Sequence, residues 1–205
     1  MKTFEEINNN INENINFTNE SKSGLKGVKE YRDGLTPETV MKEFPWLLKA
    51  KFLDAVFSIE EDGSLIWEDG IWEDGIWESG SWKNGTWKNG IWKDGDFEGG
   101  TWKFGTFENG NFITATWENG KWLNGTFWKG VWKNGTWENG TWQNGIWEDG
   151  TWQNGIWMSG TWMNGLWESG LWESGLWESG TWQYGIWKDG KWKIQGKTGT
   201  TAPIN

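Results

Sequence analysis

From residue 67 to residue 192 an aromatic residue recurs at every fifth position, without an insertion or a deletion. Glycine stands two residues before the next aromatic in nearly every repeat, and it mostly follows Asn, Asp or Ser. The unit therefore runs β-branched, aromatic, charged, and closes on a pair such as Asn89-Gly90. Such pairs favour turns because glycine adopts positive φ freely, and the three residues between turns fit a short strand.

A period of five residues is too short for β-hairpins and matches no helical period, and glycine in every unit would break a helix. It suits one side of a β-solenoid, in which successive coils stack about 4.8 Å apart. We therefore predict an all-β solenoid of five-residue sides. The repeated aromatics should point inward, because 22 exposed indoles would exceed the apolar surface that a soluble monomer tolerates. Each buried indole N–H then needs an acceptor, most simply a backbone carbonyl at a turn.

Two arguments about the number of sides per coil disagree. When the positions after the aromatics are compared three units apart, they form ten opposite-charge pairs and one like-charge pair, whereas four units apart they form five of each. Charge therefore favours three sides. Volume favours four, because three indoles in each layer of a small triangle would overfill it. A four-sided coil is our preferred prediction, and a three-sided, 15-residue coil is the alternative.

The composition changes the functional picture more than the structural one. The 205 residues include 24 Trp and 31 Gly but no His and no Cys, which excludes Ser-His-Asp triads, Cys nucleophiles and disulfides. We expect no enzyme activity, no cofactor, and no catalytic or metal-binding residue. A net charge of −10 opposes binding to a nucleic-acid backbone. No stretch approaches 18 apolar residues and no secretory signal is evident, so we expect no membrane and favour a cytoplasmic or virion-associated location.

The chain divides into three parts. Residues 1–62 form a tail and a helical cap, residues 63–194 the Trp/Gly solenoid, and residues 195–205 a polar C-terminal tail. Within the cap, Thr36 and Pro37 predict a helix start, and Pro45 separates two short helices. Their apolar residues are expected to cover the first aromatic layer, and residues 55–66 to lead into it as extended chain. The apolar residues of the two helices are Val40, Met41, Phe44, Trp46, Leu47, Leu48, Phe52 and Leu53. Residues 1–35 are either a docking tail or disordered.

A five-residue unit with a central aromatic and a small residue two positions before it resembles the pentapeptide-repeat family of quadrilateral β-helices. The resemblance covers residues 67–192, through units such as Gly135-Thr136-Trp137-Glu138-Asn139. The chain departs from the family in having Trp where Leu or Phe is usual and Gly where Ala is usual. Trp/Gly units of this kind are also similar to uncharacterised bacteriophage repeat proteins. The resemblance implies a non-catalytic protein; some members of the family are acidic DNA mimics that inhibit gyrase.

The repeat is least regular between residues 96 and 129, where four Phe replace Trp and Ala115 replaces Gly. Several large apolar side chains there and further along occupy positions that are elsewhere polar or charged, and they are expected to face outward. Outward aromatic and apolar residues are typical of protein contacts. The alternatives are tolerated sequence drift and repacking around the smaller Phe residues. The candidate binding residues are Phe104, Ile113, Leu123, Trp128, Met158 and Met163.

These observations favour a rigid structural or interaction module, most simply a virion or assembly component that docks through its N-terminal region. The partner would be another protein or a second copy, contacted through residues 1–62 or the 96–129 patch. A first alternative is an acidic inhibitor that mimics DNA and needs Glu side chains along one face. A second alternative is a carbohydrate-binding protein, which needs outward Trp residues.

Overall fold

The computed structural model describes residues 24–194 and 197–199. An N-terminal cap contains strand β1 (Val28–Tyr31), helix α1 (Pro37–Glu43), a 3-10 helix (Pro45–Lys49) and strand β2 (Lys51–Ile59). Strand β3 (Leu65–Asp74) then begins a parallel β-solenoid of about eight turns, which confirms the predicted fold class.

Most solenoid strands are two residues long, a residue that is usually β-branched followed by the aromatic. The strands after β3 are β4 (Ile76–Trp77), β5 (Ser81–Trp82), β6 (Thr86–Trp87), β7 (Ile91–Trp92), β8 (Asp96–Phe97), β9 (Thr101–Trp102), β10 (Thr106–Phe107), β11 (Asn111–Trp117), β12 (Lys121–Trp122), β13 (Thr126–Trp132), β14 (Thr136–Trp137), β15 (Thr141–Trp142), β16 (Ile146–Trp147), β17 (Thr151–Trp152), β18 (Ile156–Trp157), β19 (Thr161–Trp162), β20 (Leu166–Trp167), β21 (Leu171–Trp172), β22 (Leu176–Trp177), β23 (Thr181–Trp182), β24 (Ile186–Trp187), β25 (Lys191–Ile194) and β26 (Lys197–Gly199).

The coil has three sides, so the preferred prediction of four sides is wrong and the 15-residue alternative is correct. Every strand from β3 to β22 pairs in parallel with the strand three repeats further along the chain, for example Trp122 with Trp137 and Trp137 with Trp152. The first side carries the aromatics at 67, 82, 97 and so on to 187, the second those at 72 to 192, and the third those at 77 to 182. Backbone N–H groups continue the pairing between coils, as from Lys133 to the Trp117 carbonyl at 2.8 Å.

The aromatics fill the interior in three stacked columns, as predicted from the apolar pattern. The ring of Trp147 is stacked on Trp132 and on Trp162 with centroids 4.8 Å apart, and it meets Trp142 and Trp152 of its neighbouring sides at 72° and 73°. The inward rings of these columns, from Trp67 to Trp177, have no exposed surface. The solenoid therefore has one continuous aromatic core along its length.

Ring tilt explains why three indoles per layer fit. We take the three rings of a layer to be related by a three-fold rotation about the solenoid axis. Ring planes that meet at 73° are then each inclined by about 43° to the plane perpendicular to that axis. With a coil spacing of about 4.8 Å, that inclination leaves about 3.5 Å between stacked planes, an ordinary van der Waals separation. The volume argument for four sides failed because each inclined ring shares the space of adjacent layers.

The predicted carbonyl acceptor is found for some of the buried indole N–H groups and not for the others. In seven buried Trp residues the Nε1 atom donates to a backbone carbonyl 17 residues later, at a turn of the next coil, as from Trp142 to Ser159 at 3.1 Å. Thirteen other buried indoles make no such bond to the described residues. Several of these, such as Trp137, still direct Nε1 toward a corner glycine of the next coil, in this case Gly155.

The irregular segment has a structural cause in one corner. The backbone at Ala115 does not have the positive φ of the corner glycines, and strand β11 runs straight through the corner between the first and second sides. Strand β13 follows it in register, pairing Ala115 with Gly130. The corners between the second and third sides, and between the third and first sides, interrupt the strands. The third side therefore forms a separate eight-stranded sheet.

The N-terminal cap confirms part of the prediction and corrects part of it. Helix α1 begins as expected, with the Thr36 hydroxyl accepting from the Thr39 amide at 3.1 Å. Trp46 packs on Trp77 with ring centroids 5.1 Å apart, so the cap covers the first layer. The predicted second helix ends at Lys49, however, and Phe52 and Leu53 belong to strand β2.

Strand β2 acts as a half-coil beneath the first coil. It pairs antiparallel with β3, placing Phe57 opposite Trp67, and it pairs parallel with β1. Without these pairings, the edge of β3 at this end of the solenoid would present unpaired backbone N–H and C=O groups. At the other end β26 pairs antiparallel with β25, although its residues lie in the segment predicted to be a polar tail. Within residues 1–35, predicted to be a docking tail or disordered, residues 24–35 are described and carry strand β1 of the cap. Residues 1–23 lie outside the described part of the chain.

Candidate functional site

The residue after each aromatic faces outward, and on the solenoid these residues form one outward column per side. Charges of opposite sign alternate along parts of each column. Lys83 bonds Glu98 at 2.6 Å and Lys93 bonds Glu78 at 2.9 Å, each pair one coil apart. The bond from Glu98 raises the pKa of Lys83 above its ordinary value. The other pairs at this spacing are Lys88–Glu73, Lys133–Glu118 and Lys188–Glu173.

The outward column of the first side loses this alternation over four consecutive coils. It runs Glu68, Lys83, Glu98, Ile113, Trp128, Gln143, Met158, Glu173 and Lys188. A row is the five-residue segment that one coil contributes to one side. We call the first-side rows 111–115, 126–130, 141–145 and 156–160 the uncharged rows, because their outward residues Ile113, Trp128, Gln143 and Met158 carry no charge. The residues before the aromatics in these rows are also uncharged: Asn111, Thr126, Thr141 and Ile156. Lys129, at the corner of the Trp128 row, is the one ionisable residue of these four described rows.

Trp128 is the centre of this surface and is held across it. About half of its side chain is exposed, at 49%, whereas the ladder indoles of the interior are covered. Its Nε1 donates to the Asn111 side-chain oxygen at 3.2 Å, and the Asn111 amide nitrogen donates to Asp96 at 2.8 Å. The hydrogen-bonded chain Asp96–Asn111–Trp128 therefore spans three coils and keeps the indole against the sheet.

The structure brings together half of the predicted binding residues and separates the rest. Ile113, Trp128 and Met158 lie in one column of the first side, and Trp128 and Met158 are exposed. Met163 lies on the second side and Leu123 on the third. Phe104, which is 54% exposed, stands at the corner between the second and third sides. The 96–129 patch is therefore not one surface.

Sequence reasoning missed several exposed apolar residues. Ile156 is beside Met158 in the uncharged rows, and only the length of the coil would have placed it there. Leu48 and Leu53 are exposed on the cap, on segments predicted as helices whose apolar residues would be covered. Tyr184 and Ile186 are exposed in the last complete coil, where the following residues give less cover.

The described residues contain no group of three or more His, Cys, Asp or Glu side chains placed to hold a metal ion. Within the same residues, no helix is both long and apolar enough to cross a membrane. In the comparisons with known proteins, no family model, curated protein or solved structure matches the chain. The resemblance to pentapeptide-repeat proteins therefore stays a prediction, and the coil has three sides rather than the four that the resemblance implies.

Proposed function

We propose that this protein is a non-catalytic rigid rod that serves as a structural or interaction module. The observation that carries the proposal is the unbroken aromatic core, in which the rings from Trp67 to Trp177 stack with no exposed surface. Closely packed interiors resist deformation, so side chains on such a rod keep fixed spacings. A role as a virion or assembly component uses this property directly.

Docking through the N-terminal region is supported by the apolar surface of the cap. Leu48 is 57% exposed and Leu53 is 47% exposed, on the 3-10 helix and strand β2 that close one end of the rod. Each leucine leaves apolar surface on the outside of the cap, and burying that surface against a partner is favourable. Lys49 and Lys51 lie between them and are exposed to a cross-linking reagent.

The acidic-inhibitor alternative is less well supported, because five Glu side chains are bonded to Lys within their own columns rather than lining one face. The carbohydrate-binding alternative needs an outward Trp ladder, and the ladders are buried. Neither alternative has an observation that favours it over the rod.

Cross-linking in cells that make the protein tests the proposal. The full chain should sediment with an assembled particle, and amine cross-links to the particle should map to Lys49 and Lys51. Leu48→Glu and Leu53→Glu should each reduce that association, while Met163→Glu, a similar change on the second side, should leave it unchanged. Association that survives both leucine variants would contradict docking through the cap, and a chain that never sediments with a particle would contradict the assembly role.

A further inference from the structure

The first side of the rod is suited to pack against a second copy of itself. When its nine outward residues are paired about Trp128 in reverse order, two of the four pairs are of opposite charge and none is of like charge. We propose that the protein forms a two-fold, antiparallel dimer through this side, with Trp128 at the axis. The inference deepens the proposed function by naming one surface of the interaction module and its partner, and it rests on that function.

Charge complementarity favours one direction and one register. In an antiparallel pair centred on Trp128, Lys83 faces Glu173 of the second copy and Glu68 faces Lys188, while Ile113 faces Gln143. No row in the two outward columns then opposes like charges. A parallel pair would place Lys83 opposite Lys83 and Glu98 opposite Glu98, and like charges that face each other are destabilising.

Moving the axis by half a coil removes the match. An axis midway between Trp128 and Gln143 would oppose Glu98 to Glu173 and Lys83 to Lys188. An axis on Gln143 also avoids like charges, but it leaves Glu98 facing Lys188 as its single opposite-charge match, so the register centred on Trp128 has the most matches. That register brings two copies of the indole together, and aromatic side chains at the centre of an interface contribute most of its binding energy.

The second and third sides do not offer the same surface. The middle row of the second side carries Lys133, which would face itself, and Glu118 would face Glu148. The four central rows of the third side include Glu108 and Glu138. Glu138 is ion-paired with Lys121 at 2.7 Å, but Glu108 has no ion-pair partner among the described residues. Desolvating such a carboxylate is costly, so the first side is the one whose centre is best suited to burial.

The area is adequate for a specific complex. Nine rows at about 4.8 Å give a length of about 38 Å, and five residues at about 3.3 Å give a width of about 16 Å. Each copy then contributes about 600 Å², or about 1,200 Å² in total, the lower end of specific interfaces. Lys129 lies at the edge of the middle row and is exposed, so its ammonium group can remain in water.

Sedimentation of the full chain over the micromolar range should show a reversible dimer. Met158 would face Glu98 of the second copy, so Met158→Glu should weaken the dimer by about tenfold and Met158→Lys should tighten it. The matched control is Met163, which has the same position in its repeat and nearly the same exposure (41% against 39%) but lies on the second side. Neither Met163→Glu nor Met163→Lys should change the dimer. Equal weakening by both Met158 variants would contradict the register.

Spin labels test the direction, because the chain has no natural Cys. A label at Lys129→Cys, in the middle row, should give a short distance between copies. A label at Asp189→Cys should give a distance of about 38 Å, eight coils apart. Short distances at both positions would mean a parallel pair and overturn the proposal.

A chain that is monomeric throughout would also overturn the dimer. If that monomer still cross-links to a particle through the cap, the proposed function stands and only this inference fails. Trp128→Glu should abolish dimerisation, and its near-ultraviolet circular dichroism, which reports the buried ladders, should match that of the wild type. If Trp128→Glu disturbs those ladders, the exposed Met158 variants decide the outcome.

Discussion

The glycines at the corners of the solenoid meet two requirements, one on backbone conformation and one on the space between coils. Gly145 has a φ of +129°, which residues with a side chain rarely adopt. A Cβ atom on Gly145 would also fall against the backbone oxygen of Gly130 in the preceding coil, well inside van der Waals contact. The corner glycines are therefore needed both for the turn and for the close stacking of coils. The sequence pattern predicts the first reason, and only the coil length reveals the second.

Substitution at two glycines separates these reasons. Gly145→Ala should lower the free energy of unfolding by at least about 2 kcal/mol, because it combines backbone strain with a clash that no side-chain movement relieves. Gly63→Ala should cost less, since φ is +89° there but no atom lies within 4 Å of the added Cβ. Denaturant unfolding followed by Trp fluorescence measures both. Equal losses would show that the stacking clash contributes nothing.

The lysines in the outward columns give a prediction for alkaline pH. Bonds from Glu98 and Glu78 raise the pKa of Lys83 and Lys93 in the folded protein. This contribution to stability is complete below the unfolded value of 10.5 and is lost as the pH rises through the folded pKa. Unfolding midpoints measured from pH 8 upward should therefore fall above pH 10.5 less steeply in Lys83→Gln than in the wild type. In Lys129→Gln, which removes no ion pair among the described residues, the slope should be unchanged.

At the scale of the strands, the stacked rings determine how much each side of the solenoid contributes to the stability of the fold. Trp142 stacks on Phe127 at 4.2 Å and on Trp157 at 4.8 Å, and it donates to the Ser159 carbonyl. Strands of two residues bury little besides this ring, so the aromatic position supplies most of the packing of each side. The column already accepts Phe at three successive coils, 97, 112 and 127.

Two variants of one ring test this account. Trp142→Phe should cost roughly 1–2 kcal/mol, because it keeps the stack but loses the N–H bond and some volume. Trp142→Ala should cost roughly 3–5 kcal/mol, because it leaves a cavity between two fixed rings. Chemical denaturation measures the loss in free energy of unfolding for each variant, and so their ratio. A Phe variant as unstable as the Ala variant would mean that the hydrogen bond, and not ring stacking, holds the side in place.

Much of the element structure could be predicted from local pattern, and the remainder depended on distant pairing. The repeat places each short strand, and Thr36-Pro37 places the start of α1. The apolar pattern of Phe52 and Leu53 predicts a helix, whereas pairing of β2 with β3 makes them part of a strand. Long-range strand pairing overrides local preference in this way wherever an open edge needs a partner.

At the scale of the whole molecule, the length of the coil decides which surface residues meet. With three repeats per coil, Ile113, Trp128 and Met158 become one column, and Met163 moves to another side. Charge pairs at this spacing were visible in the sequence and predicted the correct coil. The volume argument outweighed them because ring tilt cannot be obtained from composition. The candidate contact residues could therefore be predicted individually, but the sequence did not show which of them lie on the same side.

The spacing of coils is tested most directly with pairs of introduced cysteines, since the chain has none of its own. Glu118 and Lys133 are neighbours in adjacent coils of the second side, joined by an ion pair of 3.4 Å. Glu118→Cys with Lys133→Cys should form an intramolecular disulfide under mild oxidation, because strands about 4.8 Å apart satisfy its geometry. Glu118→Cys with Glu138→Cys, four repeats apart and on different sides, should not. Disulfide formation by the second pair and not by the first would contradict the three-sided coil.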